Sequence, residues 1–216
     1  KSHLSSIHLE KDSRLWYYDA VEPRVQNPNR LENKVWTWLT LNSGGIQAIN
    51  FNAKDIYSSS DVKIICRLIS NASDVFTKAH KTGISINSSK YQDSLEFDYK
   101  KTVNLTLNKK STELKEGDNT VRVFGLKTNA SFQQLLIDWI DIEYSRFNKA
   151  YNDTLLIQIQ ENVQKQFRNI EISNIQNVNN IFIYKIYPEF SRIINFNYDA
   201  NKKRIVFGDT ISKDDK

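Results

Sequence analysis

The chain has one cysteine, three histidines, no methionine and no long apolar run. The lone cysteine, Cys66, can form neither an internal disulfide nor a zinc site built from several cysteines. It lies in an alternating segment, where it shares a face with Ile64 and Leu68. This pattern predicts a buried, unreactive thiol rather than a nucleophile.

No apolar stretch approaches the roughly 18 residues that a membrane-spanning helix needs, so no membrane span is predicted. The net charge is +5, but Lys and Arg are mixed with Asp and Glu along the chain. Short basic runs, such as 202–204, fall in predicted turns. Solvated loop charge accounts for this pattern better than a nucleic-acid site does, and no nucleic-acid partner is predicted.

Catalytic constellations are missing as well. The three histidines are His3, His8 and His80. None of them is accompanied by a Ser or Cys in a recognisable nucleophile motif. The neighbouring carboxylates Asp138, Asp141 and Glu143 do not mark a cleft of the kind in which glycoside hydrolases hold two carboxyl groups. Glycine-rich phosphate loops are absent. We therefore predict no catalytic residue and do not expect the chain to be an enzyme by itself.

Metal ligands show no recognised spacing. Asp12, Asp19 and Glu22 surround an aromatic stretch, and jelly-roll domains often hold a structural calcium ion with loop oxygens. The chain contains no D-x-D-x-D-G loop. No metal site and no cofactor are predicted, and a structural calcium ion at these three residues is kept as an alternative.

The chain is rich instead in strand-forming sequence. Val, Ile, Phe, Tyr and Thr dominate, and short alternating segments recur with turn residues between them. The clearest predicted strands are 34–41, 61–69, 101–107 and 134–144. This pattern predicts an all-β fold, with a jelly-roll (galactose-binding-like) β-sandwich over residues 1–148. A small antiparallel β unit is predicted over residues 149–216.

Aromatic residues are dense near the start of the chain. The two clusters consist of Trp16, Tyr17, Tyr18, Trp36 and Trp38. A sugar ring stacks its apolar face on a flat aromatic ring, so these five residues are a candidate carbohydrate-binding site. The same rings could instead fill the core or the edge of the sandwich, and the sequence leaves both interpretations open.

Two pairs of segments carry a resemblance to a known family. Residues 8–12 (H-L-E-K-D) are followed by 15–19 (L-W-Y-Y-D), and 116–123 (E-G-D-N-T-V-R-V) by 137–146 (I-D-W-I-D-I-E-Y-S-R). This order resembles the region before the caspase-like domain in gingipain-type cysteine peptidases. It is equally similar to the related sortase-like proteins of the type IX (Por) secretion system.

The resemblance implies a bacterial protein that is exported through the periplasm and is secreted or held at the cell surface. The chain would be a non-catalytic accessory or scaffolding module, and its partner a downstream peptidase domain of the same polypeptide. The catalytic His and Cys of the family would lie in that domain, and both ends of this chain are expected to be cuts in a longer polypeptide. The alternatives are a carbohydrate-binding module with a jelly-roll fold and an adhesive surface domain without a small ligand.

Overall fold

The computed structural model describes residues 2–17, 34–71, 78–98, 101–130, 133–157, 166–177, 181–186 and 190–211. These residues form β-strands, turns and one short 3-10 segment, which confirms the predicted all-β class. None of their helical segments is long and apolar enough to cross a membrane. In chain order the strands are β1 (Ser2–Glu10), β2 (Arg14–Tyr17), β3 (Lys34–Thr37), β4 (Leu39–Asn42), β5 (Ile46–Ala53), β6 (Asp61–Asn71), β7 (His80–Ile86), β8 (Asp93–Phe97), β9 (Thr102–Lys110), β10 (Gly117–Leu126), β11 (Gln134–Phe147), β12 (Gln166–Ser173), β13 (Ile183–Lys185), β14 (Ser191–Ile193), β15 (Asn197–Asp199) and β16 (Arg204–Ile211).

The chain divides into two compact units. The sandwich unit consists of Ser6–Lys54 and Ser58–Glu143, and the C-terminal unit consists of Lys1–Ser5, Asp55–Tyr57 and Tyr144–Lys216. Compactness does not establish where independently folding domains begin and end. The division into domains 1–148 and 149–216 therefore stays a prediction.

Two antiparallel sheets build the sandwich. One has the order β1-β11-β6-β9, with β4 also paired to β11, and the other has the order β5-β10-β7-β8. Strand β10 is central in the second sheet, where Val121 lies opposite both Ile49 and Ile86. All three side chains are buried, so one face of this sheet is apolar across β5, β10 and β7.

The first sheet contributes the other half of the core. On β6, Val62, Ile64, Cys66 and Leu68 are fully buried, while the residues between them reach solvent to varying degrees. This alternation was predicted for the segment, including the position of the Cys66 thiol. Burial of each such side chain stabilises the fold by about 1.5–3 kcal/mol. The jelly-roll sandwich predicted from the sequence is confirmed.

The predicted strand at 34–41 is two strands with different partners. Strand β3 pairs with β2, whereas β4 pairs with β11, and the change occurs at Trp38. The Trp38 amide donates to the Ile137 carbonyl at 2.8 Å, so the backbone stays hydrogen-bonded through the change. Alternation of side chains shows that a segment is extended, but it does not show where pairing passes from one strand to another.

The turn before β10 is held by one amide side chain. Gly117 has φ +90°, a conformation that costs little without a Cβ. Asn119 is buried and donates to the carbonyls of Lys115 and Gly117 at 2.7 and 2.9 Å. Its side-chain oxygen accepts from the Lys115 amide at 2.8 Å. The Glu-Gly-Asp-Asn sequence therefore forms the turn and also anchors it.

The C-terminal unit is the small antiparallel β unit that the sequence predicts. Its sheet has the order β12-β16-β15, and a separate ribbon pairs β13 with β14. The core cluster consists of Ala150, Ile172, Ile175, Ile205 and Phe207. On β16, the ring of Phe167 lies over Gly208, where a Cβ would force the exposed ring to move.

Candidate functional site

Polar and aromatic side chains gather on the outer face of the sheet that contains β1, β11 and β6. We call this group the outer-face cluster. Its members are His8, Glu10, Arg67, Asp138, Trp139 and Asp141. All six lie in the sandwich unit.

Strand alternation places these side chains. His8 and Glu10 are two residues apart on β1 and both are exposed, whereas Ile7 and Leu9 are half-buried. On β11, burial of Ile140 and Ile142 leaves Asp141 half-exposed between them. Arg67 lies in the same way between Cys66 and Leu68, both buried, on β6. The core residues thus direct their neighbours to the outer face.

His8 bridges two carboxylates. Its Nδ1 lies 2.6 Å from Oδ1 of Asp141, and its Nε2 lies 2.9 Å from Oε2 of Glu10. Hydrogen bonds to Glu10 and to Asp141 raise the pKa of His8 because both favour the protonated ring. The ring of Trp139 lies 6.0 Å from that of His8, between centroids. The imidazole is therefore held in place from both of its nitrogen atoms.

Asp138 and Arg67 form the second part of the cluster. Nε of Arg67 lies 3.3 Å from Oδ2 of Asp138, whose side chain is nearly buried. Burial raises the pKa of Asp138, and the Arg67 guanidinium only partly opposes this. The negative charges of Glu10 and Asp12 act in the same direction as burial. A nearly buried carboxylate among other acids is thus stabilised chiefly by one arginine.

The cluster is suited to recognition rather than to bond cleavage. A histidine that serves as general base must keep one nitrogen free for the proton of a nucleophile. Both nitrogens of His8 are occupied by carboxylates instead. An exposed array of charges beside an indole ring can pair with a polar partner surface, and it can do so without rearranging.

The remaining candidate catalytic groups have structural surroundings. His3 lies 2.9 Å from the Asn148 side-chain oxygen, and burial lowers its pKa. His80 is fully buried and stacks on Phe97 with 5.1 Å between ring centroids. Burial raises the pKa of the Cys66 thiol far above the range in which a thiolate forms. Among the described residues, none of these three groups faces a partner that would make it reactive.

The predicted calcium ligands are only partly described. Asp12 is exposed at the end of β1, whereas Asp19 and Glu22 lie outside the described residues. Among the residues that are described, no three His, Cys, Asp or Glu side chains come together as a metal site would require. The calcium alternative therefore stays a prediction at these positions.

The five aromatic residues of the candidate carbohydrate site are also distributed over described and undescribed parts. Trp16 and Tyr17 belong to β2, and Tyr18 lies outside the described residues. Trp36 on β3 is 48% exposed, and Trp38 is half-buried. Residue 36 is paired with residue 15 and residue 16 with residue 35, so positions 16 and 36 are not cross-strand neighbours.

The structure brings together residues that sequence reasoning left separate. His8 and Asp141 are 133 positions apart, and only the pairing of β1 with β11 makes them neighbours. Sequence reasoning also missed an exposed row of aromatic residues on β13 and β14. There a signal was present, because both the odd and the even positions from 181 to 186 are mostly apolar. A strand with only one buried face would alternate with polar residues.

No family model matches the chain, and no curated protein matches it. Among solved structures, all of this chain is similar to part of the dimeric latent PorU from Porphyromonas gingivalis, with a TM-score of 0.71 and 12% identity. The matched region is 19% of that chain, so this chain spans about a fifth of its length.

Two carbohydrate-binding modules match 64% of this chain with lower TM-scores. The CBM36-1 domain of a xylanase from the hindgut metagenome of Trinervitermes trinervoides has a TM-score of 0.40, 12% identity and 96% coverage of its own chain. A CBM36 in complex with calcium and xylotriose has a TM-score of 0.37, 14% identity and 98% coverage of its own chain.

Proposed function

We propose that this chain is a non-catalytic accessory module of a larger, exported bacterial polypeptide of the gingipain-like or type IX secretion kind. The observation that carries the proposal is the fold similarity to PorU over the whole chain, at a TM-score of 0.71. A sandwich domain shared by many proteins would find a counterpart for the sandwich unit only. Here the match takes in the C-terminal unit as well, and this supports a common build of both parts.

The motif order supports the same proposal independently of the fold. The segment that opens the sequence resemblance, residues 8–12, contributes His8 and Glu10 to the outer-face cluster. The later segment, residues 137–146, contributes Asp138, Trp139 and Asp141. Residues that carry the resemblance thus meet on one surface, where a scaffolding module would contact a partner.

In this proposal the partner is a peptidase-like domain of the same polypeptide, and the protein works outside the cytoplasm or at the cell surface. The module itself cleaves nothing, because both nitrogens of His8 are occupied and the Cys66 thiol is buried. Its role is to support or position the domain that carries the chemistry.

The test is the composition and behaviour of the whole polypeptide. A caspase-like domain with a His and a Cys in the remainder of the polypeptide is expected. Arg67→Asp together with Asp138→Lys exchanges the two charges of this pair. The double variant should then change peptidase maturation or secretion without changing the fold of the module. A polypeptide that contains no peptidase-like domain would overturn the proposal.

Carbohydrate binding is a second candidate, favoured by the exposure of Trp36. An indole ring that is 48% exposed offers a face on which a sugar can stack. A glycan array would identify a ligand class, and Trp36→Ala should then weaken binding at least about ten-fold. Tyr91 is 49% exposed in the same unit, so Tyr91→Ala is the matched control and should leave binding unchanged. An array without any bound glycan would remove this candidate, whereas equal affinity of wild type and Trp36→Ala would remove Trp36 from the candidate site of Trp16, Tyr17, Tyr18, Trp36 and Trp38.

A further inference from the structure

The β13–β14 ribbon of the C-terminal unit carries large apolar side chains on both faces. Its inner positions, Ile181, Ile183 and Ile193, pack against the core of the unit. Its outer positions form a surface that we call the aromatic face. These residues are Phe182, Tyr184, Ile186, Phe190, Arg192 and Ile194. Strands with one solvated face normally place polar residues there, and this ribbon places five large apolar side chains.

The aromatic face is exposed and ordered by its own ring contacts. Tyr184 is 46% exposed and Phe190 is 72% exposed. Their ring centroids lie 5.1 Å apart, and those of Phe182 and Tyr184 lie 6.4 Å apart with nearly parallel planes. The Arg192 guanidinium lies 4.8 Å from the Phe182 centroid. The rings and the cation are therefore already arranged. Binding a partner would cost these side chains little conformational entropy.

A contiguous exposed apolar surface of this kind marks an interaction site on a soluble protein. Fully covering each large apolar side chain would stabilise a complex by about 1.5–3 kcal/mol before the cost of association. The inner face of the same ribbon is already packed, so the ribbon cannot turn over to bury its outer side chains.

We propose that the aromatic face is the docking surface for another domain of the same polypeptide. This inference rests on the proposed function, in which the chain is one part of a larger protein. The matched PorU chain is about five times as long as the matched region, so a polypeptide of that build offers several candidate domains. The domain that docks there must present carbonyl or carboxylate oxygens to Arg192, because a guanidinium that loses its water needs hydrogen-bond acceptors.

Charge argues against a second copy of this chain as the occupant. Tyr184 and Arg192 form the middle pair of the ribbon, between the pairs 183–193 and 185–191. In a two-fold symmetric contact each residue near the axis meets its own copy. A dimer whose axis passed through this pair would bring two Arg192 guanidinium groups together in an apolar interface, which is unfavourable.

Hydroxyl-radical footprinting can measure the cover directly, with Tyr184 and Tyr91 as a matched pair. The two tyrosines are 46% and 49% exposed in this chain, so they should be oxidised at similar rates in the isolated chain. In the whole polypeptide, oxidation of Tyr184 should be about five-fold slower than that of Tyr91, because the core of an interface excludes water. Equal rates in the whole polypeptide would overturn the proposal.

Substitution within the aromatic face sharpens the test. Phe182→Thr with Phe190→Thr suits a strand but removes two rings, so it should restore fast oxidation of Tyr184 in the whole polypeptide. Ile46→Thr, at a site 56% exposed in the sandwich unit, should leave it protected. Protection that disappears on dilution, together with a dimer of the isolated chain in light scattering, would assign the surface to a second copy and overturn the proposal. A polypeptide without a peptidase domain would refute the proposed function. The docking proposal would still be decided by whether Tyr184 is protected in the whole polypeptide.

Discussion

The two units of this chain treat their outer surfaces in opposite ways. The sandwich unit buries the apolar faces of two sheets against each other and covers its outer face with paired charges, such as His8 with Asp141 and Arg67 with Asp138. The C-terminal unit has a core cluster of five buried residues and still exposes a row of aromatic rings. The sandwich unit exposes large apolar side chains such as Trp36, Ile46 and Tyr91, whereas the C-terminal unit exposes a row of stacked rings that is available to another surface.

This difference indicates how each unit obtains its stability. Burial of apolar area is the main source of folding free energy, and small cores supply little of it. The sandwich unit has the larger core and should tolerate the loss of any surface contact. The C-terminal unit depends more on polar anchors, and substitutions there should show it.

Matched isoleucines compare the two cores. Ile64 in the sandwich unit is fully buried and Ile205 in the C-terminal unit is 2% exposed. Ile64→Ala should lower the free energy of unfolding by about 3–4 kcal/mol, because the packed sheets cannot close the cavity. Ile205→Ala should cost about 2 kcal/mol, since a smaller core can collapse around the gap.

Urea denaturation followed by tryptophan fluorescence and by circular dichroism would measure both losses. Ile65, next to Ile64 on the outer side of β6, is half-buried, and Ile65→Ala is the control that should cost under about 1 kcal/mol. A larger loss at Ile205 than at Ile64 would contradict the ranking of the two cores.

A polar anchor in the C-terminal unit provides the next comparison. Asp55 is bonded to Arg146 at 3.0 Å, to Lys149 at 3.2 Å and to the Tyr151 hydroxyl. Asp55→Asn keeps the size of the side chain and tolerates the φ of +53°. It should destabilise the unit by about 2–3 kcal/mol, because the half-buried guanidinium of Arg146 loses the charge with which it is paired. Asp61→Asn breaks an exposed pair with Lys110 and should cost under about 0.5 kcal/mol.

The same anchor predicts a dependence on acid. Burial works to raise the pKa of Asp55, but hydrogen bonds from Tyr151, Lys149 and Arg146 outweigh it and lower the pKa. A carboxyl with a lowered pKa contributes stability above its unfolded value near 3.8 and loses it as the pH falls through the folded value. The thermal midpoint of the wild type should therefore fall more steeply below pH 4 than that of Asp55→Asn. Parallel curves would show that Asp55 does not supply this stability.

Side-chain alternation was enough to predict most of the sandwich. It placed Cys66 with Ile64 and Leu68 in the core, and it identified the long strand that became β11. Alternation reports which face a residue occupies, but not which strands become neighbours. The contact between His8 and Asp141 depends on that second kind of information, so the outer-face cluster could not be read from the chain.

One local irregularity also hid the cluster. Leu135 lies opposite Leu41 and both are buried, whereas further along β11 the buried residues are Ile140 and Ile142. Positions 135–138 are all buried, whereas from 140 to 144 only the even positions are buried, so burial does not follow one two-residue period along the whole strand. A strict two-residue period would place Asp138 and Asp141 on opposite sides of β11, whereas Asp138 pairs with Arg67 in the outer-face cluster.

A buried histidine should make the sandwich unit sensitive to mild acid. Burial lowers the pKa of His80, and neither ring nitrogen has a hydrogen-bond partner among the described residues. The unfolded chain then binds the proton more tightly, so stability is full above pH 6.5 and falls as the pH drops below it. One proton limits the slope to about 1.4 kcal/mol per pH unit. His80→Phe keeps the stacking on Phe97 and should flatten urea midpoints between pH 5 and 6.5; an unchanged slope would exclude His80 as its source.

The smallest effect on stability should come from His8, and its pH dependence should be opposite to that of His80. Hydrogen bonds to Glu10 and then to Asp141 raise its pKa, so its contribution is full below pH 6.5 and is lost as the pH rises through the folded value. The ring is half-exposed, and solvent screening limits the stability at stake to less than about 0.5 kcal/mol. An NMR titration detects it more clearly: the pKa of His8 should lie above 6.5 in the wild type and move down in Asp141→Asn. Glu143→Gln, which breaks the nearby pair with Lys63, should leave the titration of His8 unchanged. If His8 titrates at the ordinary value in the wild type, its two carboxylate contacts do not persist in solution, and the outer face of the sandwich is less ordered than its charges indicate.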